Sequence, residues 1–157
     1  DGSVVTWGYP AFGGDSSCVQ GQLTNVQEIS TTNSAFAALL ADGSVVTWGD
    51  RDCGGDSSQV QHQLQEVQQI KASGGSFAAV LEGGSVVTWG SRDSGGDSSH
   101  VRDQLVKVQQ GHATEGAFAA LRADGFIVTW GNPDRGGDSS QVQHQLIDVR
   151  LVHASHR

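Results

Sequence analysis

Two groups of side chains in this sequence are of types that could do catalytic or metal chemistry, and both fail on spacing. A serine pair recurs inside Gly-Gly-Asp-Ser-Ser at residues 13–17, 54–58, 95–99 and 136–140. A serine hydroxyl needs a base beside it to act as a nucleophile, and no histidine stands at a constant offset from the pair. Recurrence in every copy therefore makes it a structural device, and no catalytic residue is assigned. Asp50, Asp52 and Asp56 form Asp-x-Asp-x-Gly-Gly-Asp, with oxygen donors at alternate positions as in calcium loops. Only that copy has all three, and the glutamate that closes an EF-hand loop is missing. Calcium binding is thus a minor alternative, with Asp56 read as a helix-start residue. His62 and His144 share one repeat position on an exposed face, and no Cys or His cluster has zinc spacing. The two cysteines, Cys18 and Cys53, fall at different places in the repeat, frame neither a disulfide nor a metal site, and leave the compartment open. No metal and no cofactor is expected.

Recognition chemistry is better represented. After each Trp-Gly comes a stretch that differs in every copy: Tyr9-Pro-Ala-Phe12, Asp50-Arg51-Asp52-Cys53, Ser91-Arg92-Asp93-Ser94 and Asn132-Pro-Asp134-Arg135. Arginine and aromatic side chains are the usual anchors of protein interfaces. A fixed scaffold with changing loops is how repeat proteins build such surfaces. Tyr9, Phe12, Asp50, Arg51, Asp52, Arg92, Asp93, Asn132, Asp134 and Arg135 are therefore the candidate partner-binding residues, expected along one edge of the array.

The elements that must position these loops come from a repeat of 41 residues, marked by Trp7, Trp48, Trp89 and Trp130. The units run 1–41, 42–82, 83–123 and 124–157 within a single repeat domain, the last lacking its final strand. In each, an apolar run such as Phe36-Ala-Ala-Leu is followed by Asp42-Gly43 and then Val-Val-Thr-Trp48. Asp-Gly supplies the positive φ angles of a type I′ turn, so two antiparallel strands are expected. The third copy has Gly83-Gly84 there, which meets the same demand. Between Ser17 and Val26 the unvarying positions Val19, Gln22, Leu23 and Val26 interleave with variable ones at spacings of three and four. That period predicts a short amphipathic helix, capped through Ser17, Ser58 and Ser140, each three residues before a glutamine. Arg102 replaces that glutamine in the third copy. Val67-Gln-Gln-Ile70-Lys-Ala72 reads as a further short strand. The core is expected to comprise Trp7, Trp48, Trp89 and Trp130, Phe36, Phe77 and Phe118, and Leu23, Leu64, Leu105 and Leu146, packed between neighbouring units.

Phe-Ala-Ala-Leu-x-x-Asp-Gly-x-Val-x-x-Trp-Gly, as in residues 36–49, resembles the blade signature of the RCC1-like repeat family, and it recurs across nearly the whole chain. The short period is similar to that of the bacterial β-lactamase-inhibitor propellers of the same superfamily. The resemblance implies a mainly β protein built of RCC1-like β-propeller blades; an open ββα solenoid is the alternative. Here Gly-Gly-Asp-Ser-Ser replaces the family's Gly-Gln-Leu-Gly, and Ala35, Ser76 and Ala117 replace its usual histidine. Guanine-nucleotide exchange and chromatin binding, known for some members, have no matching residue set in this chain.

Composition narrows the partners. A net charge of −8 without a basic block repels phosphate backbones and anionic membranes, so neither nucleic acid nor a membrane is expected. No apolar run approaches the roughly 18 residues of a membrane span. The sequence starts at Asp1 without Met, as a processed or excised piece would, and a seven-blade ring needs more copies than it holds. A longer array, an open array or association of chains through the unpaired first strand would each answer that. A non-catalytic protein-binding scaffold is the leading reading, and a structural or self-assembling array the alternative.

Overall fold

The two apolar runs flanking each Asp-Gly or Gly-Gly pair up as antiparallel strands, and the Val-Gln-Gln-Ile segment adds a third. In the computed structural model, which describes residues 2–155, β1 (Val26–Thr31), β2 (Ala35–Leu40) and β3 (Val45–Gly49) form one sheet. A second sheet holds β4 (Val67–Ala72), β5 (Ser76–Leu81) and β6 (Val86–Gly90), and a third holds β7 (Val108–Ala113), β8 (Ala117–Arg122) and β9 (Ile127–Gly131). All pairings are antiparallel, with the middle strand central. The mainly β, blade-like architecture is thus as the sequence implies. Each sheet straddles the Asp-Gly boundary of the sequence unit, taking its third strand from the next copy. Asp1 and residues 156–157, the outermost positions of the first and last units, lie outside the described residues.

Successive strand side chains point to opposite faces, and here both faces are covered, which is why Phe-Ala-Ala-Leu is apolar without alternation. Ala35, Ala37, Leu39 and Val45 of the first sheet meet Ile70, Phe77, Ala79, Val87 and Trp89 of the second. Ala78 and Val80, on the far side of that sheet, meet Phe118, Ala120, Val128 and Trp130 of the third. The alanines let the sheets approach closely, and Leu23, Leu64 and Leu105 are buried plugs at the seams. Backbone bonds also cross between sheets: the Val67 N–H donates to the Gly43 carbonyl at 2.9 Å, and the Val108 N–H to Gly84 at 2.9 Å. At the other end of the strands the Asn33 N–H donates to Gly74 and the Gly74 N–H to Glu115.

Four expectations are corrected. The Asp-Gly turn is a three-residue loop rather than type I′: Leu40 donates to the Ser44 carbonyl, Gly43 alone is left-handed at φ 79°, and Asp42 is not. A type I turn followed by one left-handed residue closes such loops, and the Asp42 carboxylate accepts the Ser44 N–H at 3.0 Å to hold it. The amphipathic helix is only a 3-10 turn, at Gln20–Gln22, Gln61–Gln63, Ser99–Gln104 and Gln143–Gln145. The chain cannot coil further, because a left-handed residue follows at Asn25, Glu66, Lys107 and Asp148. The third element of each sheet is the strand that follows this turn, and not the helix of the ββα alternative. The expected capping box is absent: none of these turns has a side-chain cap, and it is the preceding serine that bonds the glutamine side chain, Ser16 donating to the Gln20 Oε1 at 2.8 Å and Ser57 and Ser139 to Gln61 and Gln143 at 2.7 Å. Finally, Trp7 is 85% exposed while Trp48, Trp89 and Trp130 are buried. No strand pairs with residues 3–8 in the described structure, so nothing covers that ring. Phe36 and Leu146 are only partly buried, again beside the outermost units.

Candidate functional site

Each variable loop leaves its sheet through a left-handed glycine, Gly49, Gly90 or Gly131 at φ 101–106°, and Gly8 at φ 115° plays the same part in the first copy. It then makes a single 3-10 turn, Pro10–Phe12, Arg51–Cys53, Arg92–Ser94 or Pro133–Arg135, and ends on a second left-handed glycine. That second glycine opens Gly-Gly-Asp-Ser-Ser, and the motif's invariance follows from contacts. A Cβ on Gly54 would stand 2.6 Å from the Phe77 ring, and one on Gly55 would stand 2.4 Å from the Gly49 carbonyl oxygen. Asp56 Oδ1 accepts the Ser58 N–H at 2.9 Å. The Ser57 hydroxyl lies 2.9 Å from Thr47 Oγ1 and donates to Gln61, whose amide in turn donates to the Val45 carbonyl at 2.9 Å. These serines are thereby engaged in tying the loop back to its own strand.

The loop is held from both sides. Its last carbonyl accepts a hydroxyl from the turn between the first two strands of its own sheet: Thr32 to Cys53 at 3.1 Å, Ser73 to Ser94 at 2.9 Å, Thr114 to Arg135 at 2.8 Å. The next carbonyl accepts the indole N–H of the following sheet, Trp89 to Gly54 and Trp130 to Gly95, both at 3.0 Å. The hydroxyl clamp at 32, 73 and 114 escaped the sequence reading. Its only signal is a Ser or Thr three residues before each Ala35-type position.

On this fixed frame the candidate side chains differ, and all are exposed except the half-buried Asp50 and Asn132. Asp50 caps its turn, accepting from Asp52 N and Cys53 N at 2.8 and 3.2 Å, and Asn132 accepts from Asp134 N at 2.9 Å. Arg51 pairs with Asp56 at 3.0 Å and Arg92 with Asp97 at 2.6 Å, both guanidinium groups about four-fifths exposed at 78% and 82%. Arg92 holds the Asp97 carboxyl well below the usual carboxylate range. Arg135 turns the other way, to Glu115. Tyr9 and Phe12 make an edge-to-face pair with centroids 5.1 Å apart. Between the second and third loops lies an open cleft of about 610 Å³ lined by Arg51, Asp52, Asp56, Trp89, Arg92 and Asp97.

The calcium reading is not met. Asp50 is spent on its own turn, Asp56 is shared between Ser58 and Arg51, and among the described residues no group of three His, Cys, Asp or Glu could hold a metal ion. Burial, and then the Asp50 carboxylate, push the Cys53 thiol up, which makes it a poor nucleophile. Among the described residues no helix is long and apolar enough to cross a membrane.

No protein-family model and no curated protein sequence matches the chain. Solved structures do match in fold. Prp20p from Saccharomyces cerevisiae, described with its binding to Gsp1p and histones, is 15% identical with a TM-score of 0.51, over 70% of this chain and 31% of that one. Yeast RCC1 (Prp20) bound to Kap60 is 17% identical with a TM-score of 0.50, over 68% and 29%. Human WBSCR16 is 20% identical with a TM-score of 0.49, over 68% and 34%. The chain spans about a third of the length of the structures it matches. Its sheets resemble RCC1-type propeller blades.

Proposed function

We propose that this chain is a non-catalytic scaffold that presents the row of loops after each Trp-Gly to a protein partner. The observation that carries this reading is the contrast within each loop. In loops 50–53 and 91–94 the backbone is clamped by the same hydroxyl and indole bonds, while the arginines they carry are exposed and the sequences differ. Such pre-ordering lowers the entropy lost on binding. Arginines and carboxylates alternate along the edge, so the partner surface carries both charge signs. The overall charge of −8 favours a partner of net positive charge. That yeast Prp20p, of like fold, binds other proteins is in keeping with this use of the fold.

The test replaces Arg51, Asp52, Arg92, Asp93, Asp134 and Arg135 with serine and compares protein captured by each version from extract after cross-linking. Their ion pairs are at the surface, each worth about 0–1 kcal/mol, so the melting temperature is expected to move little. The reading requires that a partner held by the unaltered chain be lost. A partner retained in full by the serine variant would place binding elsewhere.

A further inference from the structure

One interior unit lacks a side chain that its sister units share. In three copies a glutamine carboxamide joins two fixed groups. Its Oε1 accepts the hydroxyl of Ser16, Ser57 or Ser139 at 2.7 to 2.8 Å, and its Nε2 donates to the carbonyl of Val4, Val45 or Ile127 at 2.9 to 3.0 Å. The third copy has Arg102 where the others have Gln20, Gln61 and Gln143. A guanidinium only donates, so it accepts nothing from a serine. Both groups that the amide would join are nevertheless present.

Ser98 is 9% exposed, and its hydroxyl keeps a single bond, to Thr88 at 3.0 Å. Leu81 donates to the Ser85 carbonyl and Ser91 to that of Gly75, so by the alternation of an antiparallel pair Val86 turns its own carbonyl away from β5. Among the described residues no donor reaches that carbonyl. Val86 is half-buried, where Val45 and Ile127 are at 1% and 3%. A cavity of about 170 Å³ opens here, lined by Val86, Ser98, Ser99 and Arg102 among others. It adjoins the 610 Å³ cleft between the second and third loops, with Thr88 and Asp97 in both walls.

We infer that this cavity is a binding site for a carboxamide, the side chain of a glutamine on an extended segment of a partner protein. The sister units define the occupant, which needs an oxygen to accept from the serine and an N–H to donate to the strand carbonyl. A carboxylate supplies the first and not the second, and it would face the Val86 carbonyl and the Asp97 carboxylate with charge of the same sign. An ammonium supplies the second and not the first. The source is a polypeptide because the adjoining cleft gives room to the chain on either side of the inserted glutamine. Arg102, exposed at the rim, leaves the cavity open instead of filling it from within. The site uses none of the variable-loop side chains, and its failure would leave the loop reading untouched.

The test titrates the 157-residue chain with propionamide, and with propionate and propylammonium as probes of matched shape, while NMR follows the backbone amides of Val87, Ser98 and Ser99. Propionamide is expected to shift these signals saturably and to bind at least about tenfold more tightly than either charged probe, as an added pair of hydrogen bonds does. The amides of Ser57 and Ser139, whose partners are already in place, should not respond. Arg102→Gln supplies the amide from within, and should abolish the response at Ser98 without lowering the melting temperature. A blocked Ala-Gln-Ala peptide should displace propionamide, and its Ala-Glu-Ala counterpart should not. Absence of a saturable shift at Ser98 overturns the site, as does an equal response in the Arg102→Gln variant or a preference for either charged probe. Propionamide bound while the glutamine peptide is refused overturns the protein source, and a small free amide would take its place.

Discussion

Ser-Val-Val-Thr-Trp-Gly occurs without a single difference at residues 3–8 and 44–49, and the two copies lead opposite lives. In the second, Val45–Gly49 is a strand paired with Ala35–Leu39, and Trp48 stacks on Phe36 with 5% of its surface exposed. In the first, no strand forms among the described residues and Trp7 is 85% exposed. Identical local sequence makes local propensity the same, so the whole difference comes from neighbours. A repeat array stores its stability in the seams between units as much as in the units.

The largest effect that could break this comparison is truncation of the two tryptophans. Trp48→Ala empties a buried site and removes the bond to Gly13, and should cost about 3–5 kcal/mol in chemical denaturation. Trp7→Ala should change monomer stability by no more than about 0.5 kcal/mol. Equal losses would mean that residues 3–8 are as deeply packed as 44–49, and the contrast would collapse.

A finer division separates backbone strain from seam packing. Gly95 and Gly136 hold the same place in the repeat with nearly the same backbone, φ 93° and 99°. A Cβ on Gly95 meets the Phe118 ring at 2.6 Å, whereas one on Gly136 meets nothing within 4 Å. Alanine at either glycine forces a side chain into the left-handed region, at about 1–2 kcal/mol. Only Gly95→Ala also overpacks the seam, for about 1–3 kcal/mol more. The difference between the two melting curves therefore reads the seam alone.

Much of this was legible before any coordinates. The period and the hairpins follow from apolar runs and turn residues, which are local signals, and the blade-like architecture is what the resemblance to the RCC1-like repeat signature implies. The invariance of Gly-Gly-Asp-Ser-Ser could be read as a backbone requirement, but not its cause. Gly54 is compressed by Phe77 and bonded by Trp89, 23 and 35 residues away, and only the folded seam brings them together. The helix reading failed on energetics: Val19 and Leu23 sit at helical spacing, yet the segment ends after one turn at left-handed Asn25, and Gln20 spends its amide on the Val4 carbonyl instead of on a helix terminus. The capping-box pattern failed as well, because the turn has no side-chain cap and Gln20 instead accepts from the Ser16 hydroxyl. The reading of Trp7 as core came from treating all four copies as interior, an assumption that a periodic pattern encourages.

Within the interior one unit departs from its neighbours, and a substitution of smaller effect sharpens that. Gln61 and Gln143 each bridge a serine hydroxyl and a strand carbonyl, and Gln20 bridges Ser16 and the Val4 carbonyl in the same way. Arg102 has no acceptor to offer Ser98, which keeps only Thr88 at 3.0 Å. Arg102→Gln should add about 1 kcal/mol by restoring two neutral hydrogen bonds. A neutral or destabilising result would mean that the longer turn at Ser99–Gln104 already compensates.

The smallest effect is electrostatic and again sets an interior position against a terminal one. Asp97 and Asp138 are equivalent, and both carboxyls lie below their ordinary value of 3.8. Asp97 is lowered mainly by Arg92 and then by Ser99, while Asp138 has only Ser140, because Arg135 is engaged by Glu115. Carboxyl shifts followed by NMR should therefore show Asp97 titrating below Asp138, and Arg92→Ala should bring Asp97 up towards it. Because folding lowers these values, their contribution to stability is complete above the unfolded value and fades as pH falls below about 4. Salt should weaken the Asp97 share first, since an exposed ion pair is screened while the Asp138 hydrogen bond is local. If Asp97 and Asp138 titrate together, the loop arginines are free in solution, and the ion pairs that now occupy Arg51 and Arg92 would not have to be broken before those side chains reach a partner.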